Sequence, residues 1–136
     1  MVLLDASIIA ELMRPTPDPR VEAWLTRQRP MSVYISAITE AELRHRIARI
    51  DDPRQRARLE NALSGVVEED FFGRVLPFDG PAAQAYAEIV STRSDIAQSD
   101  AQQAAIAKSR GSKLATNRVA DFERCGIETI DPWKSH

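Results

Sequence analysis

Short apolar runs alternate along the chain with longer stretches in which apolar residues recur every three or four positions. The runs are Val2–Leu4, Val33–Ile35, Val75–Leu76, Lys113–Thr116 and Ile127–Ile130. Each is brief and several are β-branched, as expected of strands buried inside a sheet. The spacing between them predicts helices over Ser7–Met13, Arg20–Arg27, Thr39–Ile50, Pro53–Val67, Pro81–Ser91 and Asp100–Ser109. Local punctuation agrees with these bounds. Arg14-Pro15 stops the first helix, because the residue before a proline avoids the helical region. Pro19 suits the opening of the second, and Asp51-Asp52-Pro53 is a turn followed by a restart. Gly111 stands where a helix ends in a left-handed residue, and Ser99 with Gln102 has the spacing of a capping box. Strands alternating with helices predict an α/β fold in three layers, a short, mostly parallel sheet flanked by helices. No repeat, low-complexity segment or linker interrupts the pattern. The 136 residues are expected to form one domain spanning 1–136.

Composition narrows the class without naming a function. Hydrophobic residues make up 43% and charged residues 28%, which suits a packed globule rather than a disordered chain. The net charge of −2 does not announce a nucleic-acid binder. Local fields count for more than totals, and arginines gather between Arg44 and Arg58; the plainer reading of that cluster is a solvated helix face. The single cysteine, Cys125, cannot form an internal disulfide, so a cytoplasmic location is expected. Neither His45 nor His136 supplies a catalytic context for it. Met1–Asp5 has neither a basic leader nor a long apolar region, so no signal peptide is expected. No apolar run approaches the roughly 20 residues of a membrane span.

In a parallel α/β sheet, ligands gather at the carboxyl ends of the strands. That rule singles out Asp5, directly after the first run, and Thr116 and Asn117, after a later one. A carboxylate closing a buried strand needs a metal, a cation or hydrogen-bond donors. The plainer reading is that Asp5 caps the next helix. Glu42 lies inside a helix, on a different face from Glu40, and a surface pair with Arg46 at i+4 accounts for it equally well. Asp100 opens a helix, where an acid complements the helix dipole. The combination says more than its members do. Three acids on three elements offer oxygen-only ligands, which favour a hard cation, Mg²⁺ or Mn²⁺. Such an ion can activate water and stabilise displacement at phosphorus. Without a Cys/His cluster, zinc is disfavoured. His45, three residues after Glu42, reads better as a surface group than as a ligand.

Several segments resemble PIN domains. Leu3-Leu4-Asp5-Ala6-Ser7 resembles their opening. Ser36-Ala37-Ile38-Thr39-Glu40-Ala41-Glu42-Leu43-Arg44 follows their Ser-x-x-Thr-x-x-Glu-Leu pattern. Ser99-Asp100-Ala101-Gln102-Gln103-Ala104-Ala105 is similar to their Asp-Ala-x-x-Ala-Ala helix. Leu114-Ala115-Thr116 and Asp121-Phe122 match the late strand and the turn after it. Arg74–Asp79 and Asp131-Pro132-Trp133 look like the branch holding VapC-type and FitB-type toxins. This resemblance covers nearly the whole chain. It implies a PIN-like fold and a Mg²⁺- or Mn²⁺-dependent endoribonuclease toxin of a VapBC-type pair. The implied substrate is RNA, such as tRNA. The implied partners are a second copy of the chain and a cognate antitoxin, through which operator DNA is bound. By the same resemblance Asp5, Glu42 and Asp100 are the catalytic metal ligands. Ser7 and Thr116 support the site, and Thr39 orients the helix of Glu42. Arg14, Arg44, Arg46 and Arg118 are the candidates for steering RNA.

One departure stands out. Two residues after the position of Thr116 the family usually has Asp or Asn, which completes its acidic site. Here Arg118 stands there and Asn117 comes one place earlier. A shifted turn could bring Asn117 or Asp121 to the metal, or set Arg118 against phosphate. The departure favours an alternative function, a catalytically weakened PIN-fold protein that binds antitoxin or RNA without turnover. A third reading, a phosphotransferase with Asp5 as nucleophile, lacks a second aspartate two residues on, where Ser7 stands.

Overall fold

The computed structural model describes residues 1–134. His136 lies outside the described residues. Among the described residues, five parallel strands form one sheet in the order β3-β2-β1-β4-β5. They are β1 (Val2–Leu4), β2 (Val33–Ser36), β3 (Val75–Leu76), β4 (Lys113–Ala115) and β5 (Thr129–Ile130). In register, Leu3 faces Tyr34 on one side and Leu114 on the other. Among the described residues, six α-helices lie between them: α1 (Ala6–Leu12), α2 (Pro19–Thr26), α3 (Ala37–Ala48), α4 (Pro53–Gly65), α5 (Gly80–Thr92) and α6 (Gln98–Ser109).

The three layers follow from side-chain alternation along β1. Val2 and Leu4 point to one face and Leu3 to the other, because successive strand residues project oppositely. Val2 and Leu4 join Ile8, Ile9, Val21, Trp24, Leu43 and Ile47 under α1, α2 and α3. Leu3 joins Ile89, Ala104, Ile106, Leu114 and Phe122 under α5 and α6. Burying each of the large aliphatic side chains contributes about 1.5–3 kcal/mol. The alanines of α6 let it pack closely against both α5 and the sheet, and Ala101, Ala104, Ala105 and Ala107 are fully buried.

Local signals explain most element ends. Asp18, Ser36, Asp52 and Asp79 each accept a backbone N–H from the first turn of the helix they cap. Gly111 has φ of +62°, which suits the left-handed residue after α6. Three expectations change. Ser99 is not a cap: α6 starts earlier, after Ala97, and Ser99 lies in its first turn. The helix expected over Pro53–Val67 ends at Gly65 and runs on as a π-helical turn, Val66–Asp70. The apolar residues of Arg20–Leu25 and Val33–Ile38, which the sequence offers for contact with a second copy of the chain, are mostly spent on the core, since Val21, Trp24, Val33 and Ile35 are buried. No helix among the described residues is long and apolar enough to cross a membrane.

Candidate active site

The strand order reverses at β1. The chain winds outward through β2 and β3 on one side, and through β4 and β5 on the other. The connections leaving adjacent β1 and β4 therefore part in opposite directions and open a crevice at their carboxyl ends. Asp5 leaves β1 into that crevice and Thr116 leaves β4. The Asp5 backbone N–H donates to the Ala115 carbonyl at 2.9 Å, which holds the two strand ends together.

Asp5 occupies the cap position of α1 but does not cap it with its side chain. Its carboxylate instead accepts from Ser7 Oγ at 3.1 Å and from Thr116 Oγ1 at 2.8 Å. The capping account of Asp5 is thereby replaced, and both polar neighbours expected from the sequence stand against it. Asp5 is 2% exposed, so its charge cannot rely on water and requires further compensation.

That compensation comes from Arg118. Its guanidinium donates to both oxygens of Asp100, at 2.9 and 3.0 Å. It also lies 3.6 Å from Asp5 Oδ2 and 3.2 Å from Asp121 Oδ2. The two-pronged hydrogen bond to Asp100, followed by the charges of Asp5, Asp100 and Asp121, holds the guanidinium still more firmly protonated than usual. The Arg118 backbone N–H donates to Thr116 Oγ1 at 3.0 Å, and its guanidinium carbon lies 5.5 Å from the centre of the Phe122 ring. From α6, the Asp100 carboxylate reaches the same cation that faces Asp5.

Glu42, on α3, is half-buried and 3.6 Å from Arg46. Burial pushes its carboxyl above the usual glutamate range. Asp5 and Asp100 push the same way, against Arg46 and Arg118. Glu42 therefore shares one electrostatic field with the other two acids, and the i+4 pair with Arg46 is present as well. Thr39 lies behind it. Its hydroxyl donates to the Leu4 carbonyl at 3.4 Å and accepts from Gln103 Nε2 at 2.9 Å. Ser36 Oγ donates to Gln103 Oε1 and accepts the Thr39 backbone N–H. These three residues tie α3 and α6 to the end of β1.

The remaining candidates divide. Arg14, Arg46, Asn117 and Arg118 line the polar cleft beside Asp5, together with Ser7, Glu11 and Trp133. Arg44 does not: its guanidinium is held by Glu40 at 2.7 Å, and it lines a separate groove with Glu60 and Ser64. Asn117 is exposed, and its backbone N–H donates to Ser7 Oγ at 3.3 Å. Asp121 is exposed and joins the acids through Arg118. His45 is exposed on α3. Cys125 is 2% exposed, and burial pushes its thiol above the usual range, opposite to what a nucleophile needs.

Sequence reasoning missed four contributors. Ser36 and Gln103 form the network behind the acids. In the sequence Gln103 is one of two adjacent glutamines among the alanines of α6, and only packing separates it, buried, from its half-buried neighbour Gln102. Glu11 is 8% exposed and accepts from Arg14 and from the Asp18 backbone N–H, at 2.9 Å each. Arg93 is 8% exposed and donates to the carbonyls of Asp121 and Glu123, at 2.6 and 2.9 Å, which pins the turn that presents Asp121. The local pair with Asp95 reads as an ordinary surface contact, and the carbonyls that Arg93 holds lie 28 and 30 positions away.

The donor chemistry of Asp5, Asp100 and Glu42 fits a hard divalent cation, since all three offer only oxygens. Among the described residues no three acidic, histidine or cysteine side chains stand at metal-holding spacing. Asp5 and Asp100 converge instead on a cation that the chain itself supplies, Arg118, while Glu42 pairs with Arg46.

Comparison with known proteins assigns the architecture. The PIN domain family profile matches residues 2–125. VapC ribonuclease Y4jK of Sinorhizobium fredii is 37% identical over 138 residues, covering 98% of this chain and 99% of that protein. Toxin FitB of Neisseria gonorrhoeae is 38% identical over 137 residues, covering 98% of this chain and 99% of that protein. A solved structure of FitAB bound to an IR36 DNA fragment superposes with a TM-score of 0.88 at 35% identity, covering 100% of this chain and 98% of that one.

Proposed function

The chain belongs to the PIN-domain family, and on that footing we propose that it is a ribonuclease toxin that cleaves RNA phosphodiesters and is neutralised by a cognate antitoxin. The observation that carries this reading is the approach of Asp5 and Asp100, from two elements, to one cation at the switch point of the sheet, with Glu42 on α3 feeling the charge of both. Full-length likeness to a VapC ribonuclease and to the FitB toxin supports it. Operator DNA belongs to the proposal through the antitoxin, by analogy with FitAB on its DNA fragment.

Asp5, Asp100 and Glu42 are the residues that would hold Mg²⁺ or Mn²⁺. A bound ion of this kind supplies activation of water and stabilisation of the charge that develops at phosphorus. The chain's own groups do the rest. Ser7 and Thr116 donate to Asp5 and fix its orientation, a supporting arrangement that tunes a ligand carboxylate. Thr39, Ser36 and Gln103 hold α3, and with it Glu42, against β1. Arg14 and Arg46, at the rim of the cleft, are placed to attract phosphate without reading a base. A homodimer is part of the same reading and would draw on apolar groups left outside the core, such as Met31 and Phe72, which are 71% and 80% exposed.

A second reading, an antitoxin- or RNA-binding protein without turnover, is favoured by one observation, the two-pronged grip of Arg118 on Asp100. The test separates the two. The protein, purified free of antitoxin, is expected to cut RNA when Mg²⁺ or Mn²⁺ is added. Asp5→Asn should lower the rate on the order of a thousandfold or more, the scale of a lost metal-anchoring charge. Folded wild-type protein that cuts nothing in either metal would overturn the ribonuclease reading in favour of binding.

A further inference from the structure

We propose that Arg118 is a built-in counter-cation, which occupies the metal position between Asp5 and Asp100 and must swing outward onto Asp121 before a divalent ion can bind. The inference rests on the reading of Asp5, Glu42 and Asp100 as the metal-holding acids.

Three observations carry it. First, the guanidinium uses both prongs on Asp100, so both oxygens of that carboxylate are engaged, and it faces Asp5 Oδ2 at 3.6 Å. A cation seated there meets the same oxygens that a metal would use. Second, the two carboxylates are nearly sequestered from water, with side chains 3% and 11% exposed, whereas that of Arg118 is 37% exposed. Two buried anions without a cation are costly, so the protein free of metal is held together at this point by Arg118. Third, a resting place outside the site is already in contact. The nitrogen that donates to Asp100 Oδ2 also reaches Asp121 Oδ2 at 3.2 Å, and Asp121 is 54% exposed. The Phe122 ring lies beneath the guanidinium at 5.5 Å, a face over which the cation can move without losing all of its stabilisation. The backbone at Arg118 stays anchored to Thr116 Oγ1 meanwhile, so the movement is confined to the side chain.

A metal ion and Arg118 therefore compete for one position. Metal binds more weakly than the three acids alone would give, and the metal-free fold keeps its stability. Arg118→Gln removes the competitor and should tighten Mn²⁺ binding about tenfold or more, the scale expected when a close charge pair no longer has to be broken. Arg118→Lys keeps the charge but loses the two-pronged geometry, and should fall between Gln and wild type.

The experiment is a Mn²⁺ titration of the full chain, followed by the paramagnetic resonance of free Mn²⁺ and by thermal unfolding after removal of metal with EDTA. Arg118→Gln is expected to melt lower than wild type in EDTA and to gain more from Mn²⁺. If Arg118→Gln does not fold without metal, the Lys variant carries the comparison. Equal Mn²⁺ affinity in wild type and both variants overturns the proposal. So does tighter binding by Gln with wild-type affinity in Lys, which would mean that charge alone, and not occupancy, is at work. Wild-type RNA cleavage measured alongside keeps the two claims apart. Cleavage with unchanged affinities removes the competition and leaves the ribonuclease. Tighter binding without cleavage by any variant leaves the competition and removes the ribonuclease.

Discussion

Behind the end of β1, Ser36, Thr39 and Gln103 close a buried network of neutral hydrogen bonds; in front of it, Arg118 closes one of charges with Asp5, Asp100 and Asp121. Both leave their buried polar atoms partnered, and no buried side-chain nitrogen or oxygen among the described residues lacks a partner. They differ in what can replace their members. Each donor in the neutral network is aimed at one acceptor, so no mobile species can substitute, and the network acts as a fixed joint between α3, α6 and β1. The charged network needs a cation seated at its centre. An arginine provides it in the protein alone, and a divalent ion could provide it instead. The first network is thus suited to hold geometry and the second to exchange its occupant.

Breaking the fixed joint should have the largest effect on stability. Gln103→Leu leaves the Ser36 hydroxyl proton without an acceptor and the Thr39 hydroxyl oxygen without its donor, at a cost of about 1–3 kcal/mol per unsatisfied group. Urea unfolding should show the loss. A variant as stable as wild type would mean that the network is incidental to the fold.

The charged side should respond with the opposite sign at one of its members. Burial, then Asp5 and Asp100, raise the folded-state pKa of Glu42 above its unfolded value. The protonated form therefore favours the fold. Stability from this group is fully present below the ordinary glutamate range and is lost as pH rises through the raised value. Glu42→Gln, neutral at every pH, should raise the urea midpoint at neutral pH in EDTA, and the gain should shrink on acidification. A gain independent of pH would sever Glu42 from the acidic field.

The smallest effect concerns the rim of the cleft. Arg46→Ala should raise the KM for RNA about two- to fivefold, the scale of one exposed charge contact. Arg44→Ala, two positions earlier but facing another groove, should leave it unchanged. Equal effects in steady-state cleavage would show that RNA covers both surfaces.

Much of the fold was legible in the chain. The run Val2–Leu4 ending in Asp5, Pro19 at the opening of α2, the restart at Asp52-Pro53 and the glycine after α6 act through neighbours a few positions away. Hydrophobic period and turn chemistry report such contacts directly. Asp5, Glu42 and Asp100 became candidates through their places on elements and through family resemblance. Ser99 was misread because the capping pattern is local, while the start of α6 depends on how its alanines pack against α5 and the sheet.

What the sequence by itself determined was the alternation of strands and helices, the candidate acids and the oddity of Arg118 where an acid is usual. What only the tertiary structure decided was the use of that oddity. Asp5 and Thr116 are 111 residues apart, Ser36 and Gln103 are 67, and Arg93 lies 28 from the carbonyl it holds. Whether Asp5 caps a helix or faces a cation, and whether Arg118 points to solvent or between two carboxylates, depends on which strand ends lie side by side. That is set by the burial of both sheet faces, a property of the packed chain as a whole that no local pattern carries.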